Sequence, residues 1–156
     1  MLDTNTPLIA EFLKDHQQFS RLLYQISNLL QEGKVDLARE RAKDLDALAG
    51  PHIAYEEAEL YPRLAEMGET SVKEEMLVGQ HHDALDAVRA LIDAESPDKE
   101  SLESIQIGFQ GALSHAEHCG SLISLLTRLD EKEQSASLEK LIRFRDEGKK
   151  WTELPT

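Results

Sequence analysis

Cysteine occurs once, at Cys119, so no disulfide can form within the chain, and the cytoplasm is the expected setting. Basic residues are scarce: 17 Lys and Arg stand against 30 Asp and Glu, a net charge of −13. A field of that sign repels nucleic acid and anionic lipid, so neither is an expected partner. Apolar runs are only a few residues long, too short to cross a bilayer. Met1 to Phe12 lacks the basic and apolar start of a signal peptide, so none is expected. Five prolines, eight glycines and 5% aromatics are few for a β protein, and no stretch alternates with period two. A Gly-rich phosphate loop, a nucleophile-elbow motif and a C-x-x-C pair are also missing, which leaves hydrolase and kinase readings without residues.

What is present is a helix-forming composition rich in Leu, Ala, Glu, Lys and Gln, in a chain of 156 residues that fits one domain. The spacing predicts a first helix from Pro7, capped by Thr6 and closed by Gly33, with Leu8, Ile9, Phe12, Phe19, Leu23, Ile26 and Leu30 on one face. A second runs from Val35 to Met67, with a kink or short break expected at Gly50-Pro51, a further bend at Pro62, and a stop at Gly68. A third spans about Ser71 to Ala94, and a fourth runs from Ser96-Pro97 to about Leu129. A last amphipathic helix from Ser135 to Glu147 carries Leu138, Leu141, Ile142 and Phe144, and Trp151 to Thr156 reads as an extended tail. Short links between long helices give antiparallel neighbours. The expected fold is therefore all-α: a single up-down-up-down four-helix bundle over about residues 7–130, with an additional C-terminal helix and tail over 135–156.

The six histidines carry most of the functional information. They are His16, His52, His81, His82, His115 and His118, spread over all four long helices and absent from the last. At about 100° per residue, His16 sits inward among Phe12, Phe19 and Leu23. On the second helix His52, Glu56, Glu59 and Arg63 fall near the middle of the apolar face set by Leu45, Leu48, Ala49, Leu60 and Met67. The wheel centres His81 among Leu77, Val78, Leu85 and Val88 and sets His82 about 100° aside. On the fourth helix His115 and Cys119 lie near the stripe of Ala112, Ala116, Ile123 and Leu126, with His118 nearer its edge. A single histidine on an apolar face is usually a hydrogen-bonded core residue. Imidazoles facing inward from four helices, with a carboxylate that would be costly to bury unpaired, point instead to a metal. Arg63 is expected to pair with Glu59 or Glu56 and hold it ionised. Tyr55 and Tyr61 are further hydrogen-bond donors toward the ligands, and the basic cluster Arg143, Arg145, Lys149 and Lys150 offers a surface for homo-oligomer formation.

These residues resemble the hemerythrin-like, HHE cation-binding domains. Asp15-His16 and the segment from His52 through Glu56, Glu57, Tyr61 and Pro62 carry the motif of the first half, and His81-His82 followed by His115 repeat it more loosely. The resemblance covers about residues 7–130 and implies a bundle with a carboxylate-bridged non-haem di-iron site. Carried over, the ligands are His16, His52, Glu56, His82 and His115, with His81 retained because the wheel prefers it. One departure stands out: Cys119 occupies the place where the family has a second bridging Glu, and Gly120 follows it. Glu59, His118 or the Cys119 thiolate could replace that carboxylate. Otherwise the centre holds one metal, or zinc in place of iron.

The resemblance implies a cytoplasmic protein that binds or senses O2, NO or redox state at iron. The alternatives are a di-iron enzyme, acting as an oxidase, a peroxidase or in NO-linked repair of iron–sulfur centres, and a degenerate bundle serving as an interaction or regulatory protein. The missing carboxylate ranks turnover below reversible binding.

Overall fold

The computed structural model describes residues 7–67, 74–120 and 126–154, apart from the side chains of 74 and 117–120. Among the described residues all regular elements are helical. They are α1 (Pro7–Gln31), α2 (Val35–Tyr55), a π-helical turn (Glu56–Leu60), α3 (Tyr61–Glu66), α4 (Glu74–Asp93), α5 (Lys99–Gly120), α6 (Glu131–Glu147) and a 3-10 turn (Trp151–Glu153). Thr6, Gly68, Ser71 and Ile123, named as caps, bounds or core positions by the sequence, lie outside the described residues.

Helix α1 ends because Gly33 adopts φ of 76°, a left-handed conformation that costs glycine nothing, and the Lys34 amide turns back to the Leu29 carbonyl at 2.8 Å. The chain then returns along α1 as α2. Contacts run α1 to α2, α2 to α4, α4 to α5 and α5 to α1, closing a ring of four long helices around a common interior. All seven apolar residues expected on the inner face of α1 are buried there. Arg39 on α2 donates to the carbonyls of Leu91 and Ala94, satisfying the open C-terminal end of α4. Helix α6 begins earlier than its periodicity suggests, because Asp130 caps it, accepting the Glu133 amide at 2.7 Å. It lies across α1 and α2 and buries Leu141.

Three local features differ from the sequence reading. Gly50-Pro51 does not interrupt α2, which runs through both residues. The departure from regular α-helix comes just ahead of Pro62, the second place a bend was expected, as a π turn in which the Tyr61 amide bonds to the Glu56 carbonyl, five residues back. Pro62 supplies the reason: it has no N–H to give the Ala58 carbonyl, and its ring would collide with that carbonyl in a regular helix, so the turn widens. The third difference is at the end of the chain. Trp151 to Glu153 form a 3-10 turn rather than an extended tail, and Trp151 is buried in the core.

Gly50 explains how that terminal turn docks. A Cβ at Gly50 would lie 2.0 Å from the Lys149 carbonyl oxygen and 2.7 Å from the Trp151 nitrogen, so the backbone rests directly on the glycine. Gly50→Ala is expected to dislodge the terminal turn and destabilise the fold by about 1–3 kcal/mol, the usual range for overpacking. Urea unfolding of the purified variant measures this, and an unchanged midpoint would show that the turn contributes nothing there.

Candidate metal centre

Four histidines meet inside the ring, each from a different helix. His16 comes from α1, His52 from α2, His81 from α4 and His115 from α5, and all are buried. The His16 and His52 rings lie 4.7 Å apart edge to face, and the His81 and His115 rings lie 4.5 Å apart in the same manner. Glu56, on the first residue of the π turn and 2% exposed, stands between the pairs. Its Oε1 is 3.5 Å from His52 Nε2 and 3.6 Å from His81 Nε2. One ligand atom from each of His16, His52 and Glu56 falls within 4.8 Å of the others.

The outward nitrogens are all engaged. His16 Nδ1 bonds to the Phe12 carbonyl at 3.0 Å, and His52 Nδ1 to Asp15 Oδ2 at 2.9 Å. His81 Nδ1 bonds to Glu57 Oε1 at 3.0 Å, and His115 Nδ1 to Gln80 Oε1 at 2.6 Å. Each partner atom can only accept, so each Nδ1 carries the proton, and a neutral ring then has its lone pair at Nε2. Metal-binding imidazoles are held in this way, with the far nitrogen donating to a carbonyl or carboxylate. The inward atoms are under-satisfied: His52 Nε2 and Glu56 Oε2 are buried with no hydrogen-bond partner. Such orphans cost about 1–3 kcal/mol each unless something fills them, and a cation among these atoms would satisfy both. The residues therefore fit a metal.

Electrostatics agree with the geometry. Burial alone would raise the Glu56 pKa, but the charge of His52 and the hydrogen bond and charge of His81 outweigh it and hold the carboxyl well below its usual range. Burial likewise pushes His81 toward neutrality, yet hydrogen bonds to Glu56 and Glu57 raise its pKa to about 9. His16 moves the other way: burial, then the neighbouring His52 charge, lowers its pKa. Its ring is neutral and ready to donate a lone pair.

Support for the centre extends to α6. Arg145 reaches both oxygens of Asp15 at 3.1 Å and Glu11 at 2.7 Å, so Arg145 holds Asp15 and Asp15 holds His52. Arg145, one of the basic cluster considered for self-association, is thus tied to α1. Asp15→Asn is expected to weaken metal affinity on the order of tenfold, because His52 loses its anionic acceptor. Titration with a divalent metal measures it, and an unchanged affinity would show that Asp15 does not tune the centre.

The remaining sequence candidates fall elsewhere. His82 is exposed on α4. The π turn carries Glu59 outward, where it pairs with Lys140 on α6 at 2.7 Å. Arg63 also faces out, bonding Glu133 at 2.5 Å and Glu66 at 3.1 Å rather than Glu56 or Glu59. The same register change brings Tyr61 inward, with its hydroxyl 3.2 Å from His81 Nε2. Tyr55 bonds Ser137 on α6 at 2.5 Å. The side chains of His118 and Cys119 lie outside the described residues. Asp15, Glu57 and Gln80 had no assigned role in the sequence reading, since an acceptor one helix away from its histidine leaves no spacing signal. Glu59→Ala and His82→Ala are expected to leave metal content unchanged by elemental analysis. A loss in either would place those side chains at the centre.

Fold and site together define an all-α metal-binding domain. The family model for the hemerythrin HHE cation-binding domain matches residues 7–126, and the chain belongs to that family. No curated protein and no solved structure gives a significant match.

Proposed function

We propose that the centre holds non-haem iron, which His16, His52, Glu56, His81 and His115 would hold as a pair of ions, and that the protein binds O2 or NO or registers redox state. The observation that carries this reading is the set of four inward imidazoles, each fixed at Nδ1, around one carboxylate with an unpartnered oxygen. His16 and His52 would serve one ion and His81 and His115 the other. Iron so held supplies open coordination positions and a one-electron couple, and imidazole-rich ligation favours reversible binding over turnover. The chain's own part is to fix the rings, to supply one negative charge through Glu56, and to keep water out with Phe12 and Phe19, whose rings pack on His16 and His52. The centre opens on a cavity of about 50 Å³ that has His16, Glu56, His81 and His115 at one end and an otherwise apolar lining.

Elemental analysis of protein purified from iron-replete cells tests the reading. About two irons per chain with a near-ultraviolet charge-transfer band is the expected result. Protein that takes up no iron and is no less stable without it would overturn it.

A further inference from the structure

The cavity beside the centre has one wall that does not belong to the bundle. His16, Glu56, His81 and His115 form its polar end, and side chains of α1, α2, α4 and α5 enclose most of the remainder. Trp151 is the exception, contributed by the 3-10 turn that follows α6. We propose that Trp151 is the gate of this cavity, setting how fast a small ligand reaches the centre and how large it can be. This rests on reading the centre as a site for an exogenous ligand.

The argument is mechanical. Every other lining residue sits on a long helix or the π turn packed among its neighbours, and moving one disturbs backbone hydrogen bonds along that element. The terminal turn is three residues long and is held by side chains. Asp46 of α2 accepts the Thr152 amide at 2.8 Å and the Thr152 hydroxyl at 2.9 Å. Arg89 of α4 donates to the Thr152 carbonyl at 3.0 Å. Breaking these three bonds leaves Trp151 held by its packing against the core and Gly50, and leaves the bundle ladders whole. The latch is also placed for this task, because Asp46 is buried on α2 and bonds Thr152 just after Trp151, while the backbone leading into Trp151, from the Lys149 carbonyl to the Trp151 nitrogen, rests on Gly50 one turn further along that helix. The indole covers one side of the cavity while the latch holds, and its size limits what passes there.

The test compares the wild type with Trp151→Ala, which removes the gate, Trp151→Phe, which keeps an aromatic wall, and Asp46→Ala, which removes two of the latch's three bonds and leaves the indole. In metal-free protein, xenon-129 NMR measures xenon exchange with the cavity. In iron-loaded protein, stopped-flow absorbance measures azide association. Xenon exchange and azide association are expected to rise at least tenfold in Trp151→Ala and several-fold in Asp46→Ala, with Trp151→Phe within threefold of wild type. If Trp151→Ala does not fold, Asp46→Ala carries the comparison. Xenon that finds no site in any variant overturns the gate. So do exchange rates within twofold of wild type, or azide rates that stay level while xenon exchange accelerates. A chain that retains no iron would overturn the metal reading instead and leave the xenon result standing.

Discussion

Glu56→Ala is expected to leave the protein unable to retain metal at its centre, with affinity lower by at least about a hundredfold. Among the described residues, Glu56 is the carboxylate that reaches both imidazole pairs, at 3.5 Å from His52 Nε2 and 3.6 Å from His81 Nε2. Asp15 and Glu57 contact the far nitrogens of the rings and cannot take its place without rotating them out of register. Removing the carboxylate leaves neutral imidazoles to hold a cation in a buried space with no compensating charge, which is costly. The readout is thermal unfolding with and without ferrous iron. Metal at a hundred times its dissociation constant should stabilise the wild type by about 2.7 kcal/mol. For a chain of this size that corresponds to roughly 5–10 °C. Glu56→Ala should show no such rise. Glu56→Gln separates the loss of a ligand from the loss of packing, because it keeps the shape and should fail to respond to iron, while melting below the metal-free wild type at neutral pH by the stability that the Glu56–His81 interaction contributes. A full response to iron in Glu56→Gln would mean the carboxylate is not a ligand.

The second large effect is on pH. In metal-free protein His81 is protonated well above its ordinary 6.5, up to about 9, because Glu56 and Glu57 face it. Metal competes with that proton. Apparent affinity should therefore rise with pH by up to about tenfold per unit below pH 9, and level off above it. Metal-free stability should run the opposite way. A raised histidine pKa contributes stability that is fully present below 6.5 and lost as pH climbs toward 9. Glu56, whose pKa is lowered, contributes stability above its ordinary 4.5 that is lost on acidification. Calorimetric titration with zinc in two buffers of different ionisation enthalpy should show about one proton released per centre at pH 7.5. No release, or affinity independent of pH, would show that His81 is not displaced from Glu56 by metal.

Much of the fold and of the centre could be read in the linear chain, for identifiable reasons. Apolar residues recurring at three and four along α1 place His16 inward without any tertiary knowledge, because a regular helix has one period. The same period placed Glu59 and Arg63 inward beside Glu56, and there it misled. Pro62 widens the turn before it, the register slips, and Tyr61 takes the inner position while Glu59 reaches Lys140. His81 and His82 were ambiguous for a related reason: the family-like spacing favoured one and the wheel the other. The packing of α4 places His81 inside at 2% exposure. Trp151 was illegible because three residues carry no period, and what docks them is a missing Cβ on another helix. Asp15, Glu57 and Gln80 were hidden because a contact across helices depends on how the rods rotate against each other.

The order of causes is therefore traceable. Helical periodicity brings four imidazoles to one interior, a proline sets the π turn beside Glu56, and acceptors on neighbouring turns fix the rings with Nε2 inward. Metal binding is the chemistry those fixed lone pairs and that carboxylate are suited to perform.

Anomalous diffraction at the iron edge, from crystals of protein grown in iron-replete cells, tests this most directly. The expected result is anomalous density flanking Glu56, one peak beside His16 and His52 and one beside His81 and His115. Iron found only at the surface, or four rings with no density among them in protein shown to be exposed to iron, would contradict it.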